Sequence, residues 1–160
     1  MEARLDYRKL HPELVAAMVE LSRLVSQSGL EPALLELVRL RASQINGCAF
    51  CVDMHTKDAR AAGEEEQRLY AVAVWEEAPF FTARERAALR WTEAVTLLSV
   101  DHVPDQVYDQ VREFFSEEET VALTWAVIAI NSWNRIALAC RTPAGSYQPA
   151  RGSQQSAVKK

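Results

Sequence analysis

The stretch from Ser116 to Cys140 limits the fold more than any other part of the sequence. Ser116 and Glu119 fit a capping box, in which side chains satisfy exposed backbone donors reciprocally. Thr142-Pro143-Ala144-Gly145 stops the helix that follows. From Val121 to Ile130 that helix is apolar on nearly every side. A helix of this kind is buried in a bundle centre or in a subunit interface. A chain of 160 residues has few ways to surround a helix of roughly six turns, so an oligomer is expected. The apolar run is also interrupted by Thr124 and falls short of the roughly 20 residues of a membrane span. No membrane partner is expected.

The remaining punctuation divides the chain into about seven helical segments. Five glycines and six prolines are few against the roughly 12% of an average chain, which disfavours a turn-rich β-sandwich or barrel. A hydrophobic content of 49% disfavours disorder. The expected helices run from Pro12 to Gln27, Pro32 to Ile45, Cys48 to just before Gly63, Glu64 to Trp75, Thr82 to Leu98, Asp101-Pro104 to Phe115, and Ser116 to Cys140. Thr82 and Glu85 form a second capping box. The reading is one all-α domain over residues 1–145. The polar tail 146–160 is expected either to be disordered or to form an arm against a neighbour. A net charge of −4 without a basic stripe argues against nucleic acid as a partner. Met1 to Leu14 carries charges where a signal peptide needs an apolar core, so a cytoplasmic location is expected.

Three cysteines are too few for a secreted scaffold. Cys140 lies alone on an apolar helix and reads as a packing residue. Cys48 and Cys51 form a CxxC within NGCAFCVDMH, after Gly47 ends one helix and as the next begins. A helix N-terminus favours negative charge and lowers a thiol's pKa. At 100° per residue, Cys48, Cys51 and His55 fall within an arc of about 60°. Cys51 and His55 are i and i+4, so an imidazole can take the thiol's proton or stabilise the thiolate. Two bland alternatives stand beside this reading. One is a zinc site of Cys48, Cys51 and His55 with Cys140 as the fourth ligand. The other is a pair of cysteines packed as small apolar groups. Glu36 is either a carboxylate among apolar residues, suited to acid–base work, or a surface partner of Arg39. His11 and His102 read as surface or capping residues. Trp75, Trp91, Trp125 and Trp133 read as core or interface aromatics. Asn131, Asn134 and Arg135 form either a buried polar network or the point where the helix reaches solvent.

The segment Glu36 to Arg60, ELVRLRASQINGCAFCVDMHTKDAR, and the segment Asn131 to Ala137, NSWNRIA, resemble the alkylhydroperoxidase D-like (AhpD-like) proteins of the carboxymuconolactone decarboxylase superfamily. The resemblance covers roughly Met1 to Gly145. It places a Glu twelve residues before the first Cys, on Glu36, followed by Cys48, Cys51 and His55. It implies an all-helical fold around a central buried helical hairpin, assembled as a trimer or hexamer. It also implies thiol-dependent peroxidase or related disulfide redox activity without a metal or cofactor. By the same resemblance Cys51 is the peroxidatic thiol and Cys48 the resolving thiol, with His55 and Glu36 as a proton relay. The implied substrates are an organic hydroperoxide or hydrogen peroxide, and the implied donor is a lipoyl-type or thioredoxin-like dithiol. The second alternative is a non-catalytic helical oligomer whose CxxC senses redox state or binds zinc.

One position departs from the best characterised branch, which has a His directly before the second Cys. Here that residue is Phe50. Glu36 is then expected to act through His55 or water. Phe50 also supplies an apolar wall that favours an organic hydroperoxide. Helix-terminus physics favours Cys48 as the lower-pKa thiol, whereas the resemblance gives the peroxide-reacting role to Cys51, one turn from His55. The decarboxylase branch generally lacks the cysteine pair, so decarboxylation is disfavoured.

Overall fold

The computed structural model describes residues 2–149, and every regular element among them is helical. In chain order these are α1 (Tyr7–Leu10), α2 (Pro12–Ser26), α3 (Pro32–Ile45), α4 (Ala49–Ala61), α5 (Glu66–Ala71), α6 (Ala83–Thr96), α7 (Leu98–Asp101), α8 (Asp105–Arg112) and α9 (Glu117–Cys140), with a 3₁₀ turn at Val72–Val74. Pro12 and Pro32 open α2 and α3 at the first helical position, where a missing N–H costs nothing. Both capping boxes form, Thr82 with Glu85 and Ser116 with Glu119.

The expected seven segments become nine helices among the described residues, for local reasons. The chain breaks at Leu97, so Leu98–Asp101 is a separate turn that ends in left-handed backbone at His102. The one-turn α1, capped by the Asp6 side chain, is too short to show a periodic pattern. The segment expected to reach Trp75 ends at Ala71 and tightens into the 3₁₀ turn. That tightening accompanies Trp75's burial and its indole N–H donating to Glu93 Oε1 at 2.7 Å. The tail expected from Ser146, as disordered or as an arm against a neighbour, is described as far as Pro149, and within it Tyr147 bonds to Lys57 and Asp58 of α4 in the same chain. The rest of that expectation, residues 150–160, lies outside the described residues.

The most enclosed helix is α3. Leu35, Leu37, Val38, Leu40 and Ala42 are each at most 1% exposed, because α4, α6 and α9 all pack against it. By contrast, α9 buries one face, including Leu123, Ala126, Val127 and Ile130, and leaves Val121, Trp125, Ile128, Ile136 and Leu138 exposed. Its apolar perimeter is therefore only half used within the chain. Over its full 24 residues α9 does meet the length and composition of a membrane span, which the shorter run from Val121 to Ile130 does not. Three glutamates in its first turn and its buried contacts with α3 and α6 make it a core helix.

Gly47 connects α3 to α4. Its φ of 67° lies in the left-handed region that glycine enters without strain. The Cys48 N–H then donates to Ser43 O at 3.0 Å and the Gly47 N–H to Gln44 O at 3.1 Å, the Schellman pattern that satisfies the last carbonyls of a helix. Cys48 is at once the residue that closes α3 and the N-cap of α4. The two helices fold back as an antiparallel hairpin, which sets Glu36 opposite His55. A Cβ at Gly47 would meet no atom within 4 Å, so the cost of Gly47→Ala is conformational alone. Denaturant unfolding is expected to show a loss of about 1–2 kcal/mol, with Gly47→Asn losing less because Asn tolerates this backbone.

Candidate active site

The four residues expected from sequence come together in the α3–α4 hairpin. Cys48 and Cys51 are free thiols, each 1% exposed. The Cys48 sulfur accepts from the Cys51 N–H at 3.4 Å, the N-capping position. His55 follows one turn after Cys51 and is buried. Its Nδ1 lies 2.9 Å from Glu36 Oε2. Glu36 also takes Arg39, whose guanidinium is held in turn by Ser26 Oγ at 2.8 Å. Both readings of Glu36 are thus realised in one carboxylate: it pairs with Arg39, and it faces the site.

The charge states follow from these contacts. Burial pushes the Glu36 carboxyl up, but the hydrogen bond and charge of His55, together with Arg39, outweigh burial and hold it below its ordinary value. Ionised Glu36 accepts, so His55 carries its proton on Nδ1 and leaves the lone pair on Nε2. That Nε2 is buried and has no hydrogen-bond partner among the described residues. An unmet buried ring nitrogen costs about 1–3 kcal/mol, and such groups recur where chemistry uses them.

The two thiols differ in acidity. Donation from the Cys51 thiol, then backbone N–H groups and Asn134, lower Cys48 to about 7. Cys51 moves the other way, because it donates to the Cys48 sulfur, is buried, and faces that sulfur's negative charge. Cys48 is thus the more acidic thiol of the pair, the direction that the helix terminus favours. Access is divided differently. A cavity of about 600 Å³ is lined by Cys51, His55 and Glu36, with Phe50, Met54, Ile130 and Trp133 among its apolar walls, and Cys48 is not part of its lining.

Two contributors were not singled out as site residues in the sequence. Asn134, fully buried on α9, donates to Ser43 Oγ at 3.0 Å and accepts from Asn46 Nδ2 at 2.9 Å. Asn46 also donates to Asn131 Oδ1 at 3.0 Å, and Asn131 to Thr96 Oγ1 at 3.0 Å. The asparagines are thus a buried network that ties α9 to the hairpin turn and brings Asn134 beside the sulfurs. Asp58, one turn beyond His55, accepts from Tyr147 Oη at 2.7 Å, and both residues line the cavity. The i+3 spacing of Asp58 from His55 was available as a signal; the Tyr147 contact, across 89 positions of sequence, was not.

Glu36, His55 and Asp58 bring ligand-type atoms within 4.8 Å of one another. Glu36 is already engaged by Arg39 and His55, and Asp58 by Tyr147. The set Cys48, Cys51, His55 and Cys140 does not converge as a ligand group among the described residues. Cys140 is buried at the end of α9, as a packing residue would be.

The family model described as carboxymuconolactone decarboxylase matches residues 12–94, more than half of the chain and all four of Glu36, Cys48, Cys51 and His55. The chain belongs to the carboxymuconolactone decarboxylase family, and within it to the AhpD-like proteins. A solved structure from Agrobacterium tumefaciens, a protein of unknown function placed with the antioxidant defence protein AhpD, is 44% identical to it. The match covers 91% of this chain and 100% of that one, with a TM-score of 0.88. The uncharacterized protein YdfG of Bacillus subtilis is 43% identical over 146 residues, 91% of this chain and 99% of YdfG. The debrominase Bmp8, at 19% identity, shares the fold, with a TM-score of 0.78 over 86% of this chain and 74% of its own. The expected AhpD-like all-helical fold is borne out.

With Cys48 lowered to about 7, the pair gains its negative charge as pH rises through that value and loses it below. Iodoacetamide labelling of the peptide holding Cys48 and Cys51 is therefore expected to rise with a midpoint near 7, against about 8.5 for an ordinary thiol. Asn134→Ala removes a donor and should move the midpoint up, as read by mass spectrometry across pH. An unmoved midpoint would remove Asn134 from the thiolate's support.

Proposed function

We propose that the protein is a thiol-dependent peroxidase and disulfide oxidoreductase that acts on organic hydroperoxides through Cys51 and Cys48. The observation that carries this reading is that Cys51 and the Glu36–His55 pair line one cavity, next to Cys48, whose pKa is lowered by the donors around it. The similarity to a structure placed with the antioxidant defence protein AhpD supports it. Phe50 in the wall favours an organic group over hydrogen peroxide.

In the proposed cycle His55 Nε2 takes the Cys51 proton, while Glu36 steadies the imidazolium through Nδ1. The Cys51 sulfur attacks the distal peroxide oxygen: an S–O bond forms, the O–O bond breaks, and the alkoxide leaves as an alcohol with the proton from His55. Cys51 is now a sulfenic acid. The Cys48 thiolate attacks that sulfur and forms the disulfide, and the departing hydroxide leaves as water after gaining a proton. A dithiol donor, lipoyl-type or thioredoxin-like, then reduces the disulfide and becomes a disulfide itself. The lowered pKa of Cys48 thus suits it to the resolving step. A cytoplasmic setting, where thiols are kept reduced, suits this cycle.

Hydroperoxide consumption with a small dithiol is the direct test. Cys51→Ser should abolish it, and His55→Ala should slow it about a hundredfold. Cys48→Ser should stop after one equivalent and leave a sulfenic acid on Cys51 that dimedone traps. Equal turnover by Cys51→Ser and the unaltered protein would end the assignment.

The exposed stripe of Val121, Trp125 and Ile128 on α9 supports assembly of the chain as a trimer or hexamer. Analytical ultracentrifugation is expected to show such a species, and Ile128→Asp should lower its mass, because an unpaired carboxylate resists burial.

A further inference from the structure

The segment that follows α9 returns to the thiol site. The Gly145 N–H donates to Asp53 Oδ2 at 3.1 Å, and Lys57 Nζ donates to Tyr147 O at 3.0 Å and pairs with Asp53 at 2.9 Å. Tyr147 Oη donates to Asp58 Oδ1 at 2.7 Å. All three anchors, Asp53, Lys57 and Asp58, belong to α4, the helix that carries Cys51 and His55. They fall within two turns on one side of it. Between the first and last of these bonds the segment has no room to move away without breaking charge-assisted contacts, which are the stronger class of hydrogen bond. Tyr147 is half-buried and contributes its ring to the same cavity as Cys51, Phe50 and Trp133. Burial and the carboxylates of Asp58 and Glu36 push its phenol up to about 12, so it stays a neutral donor at any physiological pH.

We infer that residues 142–149 are a substrate-selecting strap in which Tyr147, pinned by Asp58, forms the wall that sets how large an organic group reaches the Cys51 sulfur. The physical basis is that a cavity of about 600 Å³ lies well within the range that holds a small organic molecule, and one aromatic ring is a large share of such a wall. The side chain is fixed at both ends, by its backbone carbonyl on Lys57 and its hydroxyl on Asp58. Tyr147 is thus a specificity residue, not a member of the relay. The inference rests on the reading that substrate meets Cys51 through this cavity, and it extends that reading to the size of the substrate.

The test compares a small and a bulky thiol reagent on Cys51, iodoacetamide and N-(1-pyrenyl)maleimide, with the adduct assigned to Cys51 rather than Cys48 by fragmentation of the peptide. Tyr147→Ala should raise the bulky-to-small rate ratio about tenfold, the scale on which pockets discriminate by size. Tyr147→Phe and Asp58→Ala keep the ring but cut its tether, and should raise the ratio less. Asp53→Ala, which frees the strap at Gly145, should move it the same way. An unchanged ratio in Tyr147→Ala, with circular dichroism like that of the unaltered protein, overturns the inference. So does a parent protein whose Cys51 takes neither reagent. Size selection without hydroperoxide consumption would keep the strap and end the peroxidase reading. Hydroperoxide turnover with an unchanged ratio would do the reverse.

Discussion

Gly47 in left-handed backbone lets the Cys48 N–H reach Ser43 and close α3, and the sulfur of the same Cys48 then caps α4. Two helix ends meet at a single residue there. The tightness of this turn sets the register of the hairpin, and the register places Glu36 opposite His55. It also leaves the cysteine pair at the point where unpaired N–H groups favour negative charge. Because α3 is enclosed by α4, α6 and α9, the hairpin has no freedom to slide, and the geometry of the thiols is inherited from the packing of the whole bundle.

Electrostatics at the site is a matter of few charges. A single carboxylate, Glu36, is shared between Arg39 and His55, and this decides which imidazole nitrogen holds the proton. Of the two sulfurs Cys48 is the more acidic, because Cys48 collects the donors. The cavity, however, opens on Cys51. Separating the more acidic sulfur from the accessible one suits a two-step oxidation, since the second nucleophile is ready before the first has reacted.

Much of this was legible in the chain because it is local. Pro12, Pro32 and the two capping boxes announce where four of the helices begin. The periodicity of one helix puts Cys48, Cys51 and His55 on one face. Glu36 was open on its own, since a carboxylate on an amphipathic helix looks the same whether it faces solvent or a buried histidine. The family spacing chose between the two. The one-turn helices α1 and α7 escaped notice, as a single turn carries no period.

Legible in the chain itself, then, are the longer helices, the turn between α3 and α4, and the cysteine pair with its histidine. These depend on neighbours within one or two turns, where backbone geometry leaves few options. Tertiary structure alone decided which faces of α9 are buried, that Asn134 supports the sulfurs, and that Tyr147 reaches Asp58. Those contacts join residues some 90 positions apart. No local rule specifies them, because they arise when helices pack and each buried polar group has to find a partner.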